Sequence, residues 1–139
     1  MNFLHVNYLA VLVSAVVIFL LGGLWYSKAL FAPKWIALMG ITEEQMKAKP
    51  SAPMPVLLIQ AFICGFLISL TLAVVINHFP PYHPVHGALA GAACWLGFAA
   101  ATSYATAVFS MQPKGLWLIN SGYNLVSFMI AGAILGAWR

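Results

Sequence analysis

Apolar positions in this chain fall into four long runs, Tyr8–Trp25, Val56–Phe79, Val85–Phe109 and Leu116–Trp138. All 8 prolines, and every charged residue except Arg139, lie in the segments between those runs. A helix needs roughly 20 mostly apolar residues to cross the hydrocarbon core, and each run approaches or passes that length. Unsatisfied backbone groups are so costly in lipid that the runs must be helical where they cross. The pattern predicts an all-α membrane protein: four transmembrane helices in an up-down-up-down bundle, a single integral membrane domain over residues 1–139. Two connections, Pro80–Pro84 and Ser110–Lys114, are short, which makes consecutive helices antiparallel neighbours.

The first connection has structure of its own. Ala32–Gly40 opens with a proline suited to a first helical turn and closes on a glycine stop. Phe31, Trp35, Leu38 and Met39 share one face at helical spacing, so a short amphipathic helix should lie in the membrane interface after the first span. Thr42-Glu43-Glu44-Gln45 has capping-box spacing and predicts another short helix. Lys49–Pro55 is too proline-rich to continue it and leads stiffly into the second span. One internal echo stands out. Tyr26–Phe31 followed by Pro33-Lys34-Trp35 resembles Tyr104–Phe109 followed by Pro113-Lys114-Gly115-Leu116-Trp117, so either a duplicated two-helix unit or two similar membrane boundaries account for it.

A composition that is 63% hydrophobic leaves no room for a soluble domain, and the net charge of +4 is not a nucleic-acid footprint. Lys28, Lys34, Lys47 and Lys49 lie in the first connection and Lys114 in the third, against Arg139 at the far end. Lysines beside spans mark the cytoplasmic face, where they meet anionic lipid. That places both termini outside the cytoplasm, in a multi-pass protein of the cell (inner) membrane. Trp25, Tyr26, Trp35 and Trp117 with Lys28, Lys34 and Lys114 read as interface anchors on the inner side, and Tyr8, Tyr82 and Trp138 on the outer. Met1–Leu9 has no Lys or Arg and no A-x-A pattern follows it, so the first span reads as an uncleaved anchor. Cys64 and Cys94 lie within spans, outside any C-x-x-C pattern, and read as small hydrophobes.

Both acids of the chain, Glu43 and Glu44, lie in the first connection. Intramembrane carboxylate chemistry, such as proton antiport or acid–base catalysis, therefore has no group to run on. The polar residues inside the spans are neutral and unevenly spread. Asn120, Tyr123, Asn124 and Ser127 fall at i, i+3, i+4 and i+7, one helical stripe. Gln60, Thr102, Ser103, Tyr104 and Thr106 lie at similar depth in the inner half. Converging, they would form a polar ligand pocket; otherwise they bond across helices as packing glue. His78, His83 and His86, with His5, gather on the outer side. They are weak metal candidates, since they meet no recognised ligand spacing, and no cofactor is implied. Gly87/Gly91 and Gly132/Gly136 are G-x-x-x-G pairs, suited to packing spans three and four together or to joining two copies.

Gly22-Gly23-Leu24-Trp25-Tyr26-Ser27, Trp95-Leu96-Gly97-Phe98 and Trp117–Val126 resemble the bacterial membrane-protein family catalogued as domain of unknown function 1761. The most specific segments are G-x-W-Y-S and L-I-N-x-G-Y, and the likeness covers nearly the whole chain. The resemblance implies a four-helix integral membrane protein and supplies no activity or substrate. It also implies histidine in many members at the position of Asn124, so a titratable role there is absent in this chain. The expected function is a binding or permeation module for a small neutral or lipidic ligand held in the inner-half pocket. The expected partners are membrane lipid and a second copy of the chain, a dimer being favoured. A cofactor-free enzyme acting on an apolar substrate, with Tyr104 or Tyr123 handling protons, is the alternative, and a structural partner for another membrane protein is a third.

Overall fold

A computed structural model describes residues 5–40, 44, 53–78 and 83–138, and among these the regular structure is entirely helical. The elements are α1 (Tyr8–Trp25), α2 (Ala32–Met39), α3 (Met54–Asn77), α4 (Pro84–Cys94), a π-helical segment (Trp95–Ala100), α5 (Ala101–Phe109) and α6 (Lys114–Ala137). Four rods are long and apolar enough to cross a membrane: α1, α3, the continuous run Pro84–Phe109 and α6. The capping box at Thr42–Gln45 lies outside the described residues apart from Glu44, as do most of the lead at Lys49–Pro55 and most of the second connection.

Local chemistry sets the ends. Asn7 caps α1, its Oδ1 accepting from Leu9 N at 3.1 Å and Ala10 N at 3.2 Å, donors a helix start leaves unpaired. Proline stands at the start of α2, α3 and α4, where its missing N–H costs nothing. Gly40 ends α2 at φ 73°, the left-handed conformation expected of a glycine stop. The turn after α5 does the same with Met111 at φ 55°. Met111 N donates to Val108 O and Gln112 N to Ala107 O, the paired bonds of a Schellman turn.

Helix α6 lies at the centre, against α1, α3 and α4, while α3 and α4 barely touch despite the short connection between them. Spans one and two are neighbours, and so are spans three and four. Contacts pair opposite ends: Gly87 of α4 meets Gly132 and Gly136 of α6, while Trp117 near the start of α6 reaches Ser103 in α5. In α1, Trp25 reaches Ile119 and Ile18 reaches Tyr123.

Two kinds of packing hold the rods. Between α1, α3 and α6 the interior consists of Ala10, Val11, Ile18, Leu72, Ala73, Ile76, Ala131 and Leu135, each at most 5% exposed. Between α4 and α6 the backbones themselves touch. A Cβ on Gly136 would sit 2.6 Å from His83 O, and one on Gly91 2.8 Å from the Phe128 carbonyl carbon. All four glycines are buried, so both G-x-x-x-G pairs are used inside one chain. Lipid tails are as apolar as leucine, so close fit rather than water exclusion favours such contacts.

Helix α2 is drawn onto the bundle. Leu38 packs at the start of α6, 3.0 Å from where a Gly115 Cβ would lie, and the Trp35 ring stands edge-on to Tyr26 at 5.9 Å. Phe31, Trp35 and Leu38 are half-buried, while Met39 on the same face is exposed.

Candidate functional site

The two segments most specific to the family resemblance meet in space. Helix α1 ends at Trp25, whose indole N–H donates to Ile119 O at 3.0 Å. The next residue, Tyr26, donates its hydroxyl to Asn120 Oδ1 at 2.6 Å. From the other side, Tyr123 donates to Ile18 O at 2.9 Å, its ring 5.6 Å from that of Tyr26. Gly22 makes room for this, since a Cβ there would lie 2.9 Å from the Tyr123 hydroxyl. A carbonyl already bonded within its helix keeps a second lone pair, so Ile119 of α6 and Ile18 of α1 accept these donors without unwinding. Burial and the neighbouring Tyr123 push the Tyr26 phenol up to about 12, which keeps it a donor to Asn120.

The third span clasps the same turn of α6 from the opposite flank. Trp95 donates to Ser121 O at 3.0 Å, so indoles from two helices bond carbonyls two residues apart. One turn nearer the start of α6, Trp117 donates to Ser103 Oγ at 3.1 Å, and Ser103 donates to Ala100 O at 3.2 Å. Tyr104 stands edge-on to Trp117 at 5.0 Å. Tyr26 and Trp35, their counterparts in the sequence echo, meet at the same 72° interplanar angle.

The candidate ligand residues divide accordingly. Asn120 and Tyr123 face inward and are engaged by α1 and its exit. Ser103 and Tyr104 are engaged by Trp117. Thr106 donates to Thr102 O at 3.2 Å within its own helix, and both threonines, like Gln60, are exposed on the bundle surface. Asn124 is half-buried, and Ser127 is buried at 1% exposure. Gln60 and Thr102 are thus not gathered with the α6 stripe. The anchors Lys28, Lys34 and Lys114 are exposed at the same end, beside Trp25, Tyr26, Trp35 and Trp117. The sequence marked Trp25 and Trp117 as boundary anchors, and the bonding of these two and of Trp95 was missed. The available signal was the indole N–H itself, which finds an acceptor when buried.

Hollows accompany this clasp among the described residues. An apolar groove of about 330 Å³ opens where α3 and the third span stand apart, lined by Leu67, Ile68, Thr71, Leu72 and Val75 on one wall and Cys94, Phe98 and Phe128 on the other. The π-helical segment carries Phe98, which is 77% exposed. A cavity of about 500 Å³ lies at the histidine end among His5, Asn7, Tyr8, Asn77 and Trp138, over Ala73 and Leu135. A small one of about 200 Å³ lies at the lysine end beside Tyr104, Lys114 and Trp117.

Two of the histidines bond within their own segments. His83 Nδ1 accepts from Val85 N at 3.1 Å and so caps α4, with its ring 5.8 Å from that of His86. His78 Nδ1 lies 2.7 Å from Val74 O. Among the described residues, no three His, Cys, Asp or Glu side chains converge as metal ligands would.

A family model described as Protein of unknown function (DUF1761) matches residues 9–136, and the chain belongs to that family. No curated protein and no solved structure matches it.

Proposed function

We propose that this member of the DUF1761 family is a membrane module that binds a lipidic ligand in the groove between α3 and the third span. The observation that carries this reading is the groove itself: about 330 Å³ with almost wholly apolar walls, open sideways in the middle of spans apolar enough to lie in lipid. Ligand sites are typically concave and apolar with a few polar groups at one end. Here Thr71 supplies such a group within the lining. Permeation through a single chain is disfavoured by the interior between α1, α3 and α6, where Ala10, Val11, Leu72 and Ala131 leave at most 2% exposure. The enzymatic alternative is disfavoured at Tyr123, whose proton is committed to Ile18 O.

The same reading places the lysine end in the cytoplasm and both termini outside it, with the four spans up-down-up-down across the cell (inner) membrane. The opposite-ended contacts along α1, α4 and α6 support that order. Association with a second copy would use the third span, covered over 11% of its most apolar window against 28–33% in the others. Single cysteines at positions 51 and 82, in a chain lacking Cys64 and Cys94, test the orientation. An impermeant reagent added outside should label position 82 and spare 51.

The ligand reading is tested with a photoactivatable phospholipid carrying its reactive group in the acyl chain. Adducts should concentrate on Leu67–Val75 and Cys94–Phe98 and should fall several-fold in Thr71→Trp, which fills the groove. Even labelling of all outward-facing residues, unchanged by Thr71→Trp, would overturn it.

A further inference from the structure

Ser14 on α1, Ser69 on α3 and Ser127 on α6 are 0%, 0% and 1% exposed; the Ser14 and Ser69 hydroxyls have no hydrogen-bond partner in the protein, and Ser127 has none beyond the Tyr123 hydroxyl of its own helix. Neighbouring contacts put the three in one layer. Tyr123 reaches Ile18 O, and Gly65 packs on Ile18 and Ala15. From these points Ser14, Ser69 and Ser127 each lie four residues along their own helix, and all three steps run toward the histidine end. A second register agrees, since Phe128 and Ile68, next to Ser127 and Ser69 in sequence, line the same groove.

The surroundings offer these hydroxyls little. The interior around them is apolar, with Ala10, Val11, Leu72 and Ala73 on the histidine side and Ile18 on the lysine side, where Tyr123 packs against it. Close packing does not require serine at these points, since Ala10, Ala15, Ala73 and Ala131 already serve the same interior. Buried hydroxyls left unpaired are destabilising, and more than one in a layer multiplies the cost.

We infer that Ser14, Ser69 and Ser127 form a binding site for one enclosed water molecule at the centre of the α1–α3–α6 interior. A water offers two donors and two acceptors, and buried waters typically make about 3 hydrogen bonds to otherwise unsatisfied groups. Three hydroxyls, each able to donate or accept, match that demand. The bound water then acts as the polar pin of an otherwise apolar interior, fixing the rotation of three helices that side-chain burial alone leaves free to slip in lipid. This site is independent of the lipid groove and stands or falls without it.

The test is a complete set of Ser→Ala variants at the three positions, unfolded reversibly in lipid nanodiscs. Each single variant should lower the folding equilibrium constant about tenfold, the size expected for loss of one such bond. The triple variant should fall no further than a single one, because it removes the site with the water. Additive changes, whether small losses from serines bonded to their own helices or gains from relief of unpaired hydroxyls, would overturn the site. A second readout needs no folded variant: the infrared O–H band of an enclosed, weakly bonded water, shifted by oxygen-18 water, in the wild-type protein. Its absence there overturns the inference even if every variant fails to fold.

Discussion

The seam between α4 and α6 and the gap between α3 and α4 are both made by rods apolar enough to cross a membrane, yet backbones touch at one and a groove opens at the other. Four glycines line the seam, so helix surfaces approach until a Cβ on any of them would strike the partner's backbone. The wall of α3 facing the gap carries Leu67, Ile68, Leu72 and Val75 at full size. In water such a surface would seek its neighbour; in lipid an acyl chain serves equally well. A connection that is short in sequence does not by itself press the two faces into contact. The lesson is that in this chain small size and donated hydrogen bonds select the neighbours, and apolarity does not.

Enlarging the seam should give the largest effect. Gly87→Leu or Gly132→Leu drives a side chain into backbone and should cost about 3 kcal/mol or more, eliminating the folded protein in mild detergent. Gly97→Leu is the control on the outward side, where a Cβ meets nothing within 4 Å, and should melt near wild type. Folded Gly87→Leu protein with an unchanged melting temperature would break the comparison.

Loss of a donated bond should cost less. Tyr123→Phe removes the hydroxyl that holds α6 to Ile18 O and should lower stability by about 1 kcal/mol. Trp25→Phe should cost somewhat more, because it also trims a ring packed on Phe31 at 4.9 Å. Denaturant titration of the two singles and the double separates the pair, and equal stability of all three with wild type would remove hydrogen bonds from the account.

On the gap side the effect should be small. Phe98→Ala alters a ring that is 77% exposed and should shift stability by no more than about 0.5 kcal/mol. A large loss in lipid nanodiscs would mean that Phe98 is covered by another chain.

The mildest test is alkaline. The Tyr26 phenol is held up at about 12 against an ordinary 10.0, so folding favours its protonated form. Its contribution is fully present below pH 10 and is lost as pH rises from 10 toward 12. Tyrosinate absorbance should therefore show a late-titrating phenol that Tyr26→Phe removes, and identical titrations would refute the assignment.

Much of the framework was readable beforehand. The run Tyr8–Trp25 matches α1 residue for residue, and the proline–glycine bracket around residues 32–40 matches α2. The other spans are offset by one or two residues, because helices start on prolines or beside them rather than on the first apolar residue. The site was less readable. Asn120 and Tyr123 fell on one polar stripe, but nothing in it named their partners, which are Tyr26 and a backbone carbonyl. Every residue carries a carbonyl, so no pattern names the one an indole or phenol will reach. Met111 in a left-handed turn was equally hidden, since glycine is the usual mark of that conformation.

What the sequence determined by itself was the number, length and helical state of the spans, because satisfying the backbone in lipid is a local requirement met within each segment. It also determined that spans three and four are able to approach closely, through the spacing of Gly87, Gly91, Gly132 and Gly136. Only the tertiary structure decided that α6 sits at the centre, that its Ile119–Ser121 turn is clasped by Trp25 and Trp95, and that α3 and the third span part to leave a groove. Those outcomes depend on which faces meet among several that are alike in apolarity. Choosing between equally apolar faces is settled by fit in three dimensions rather than by any periodicity along the chain.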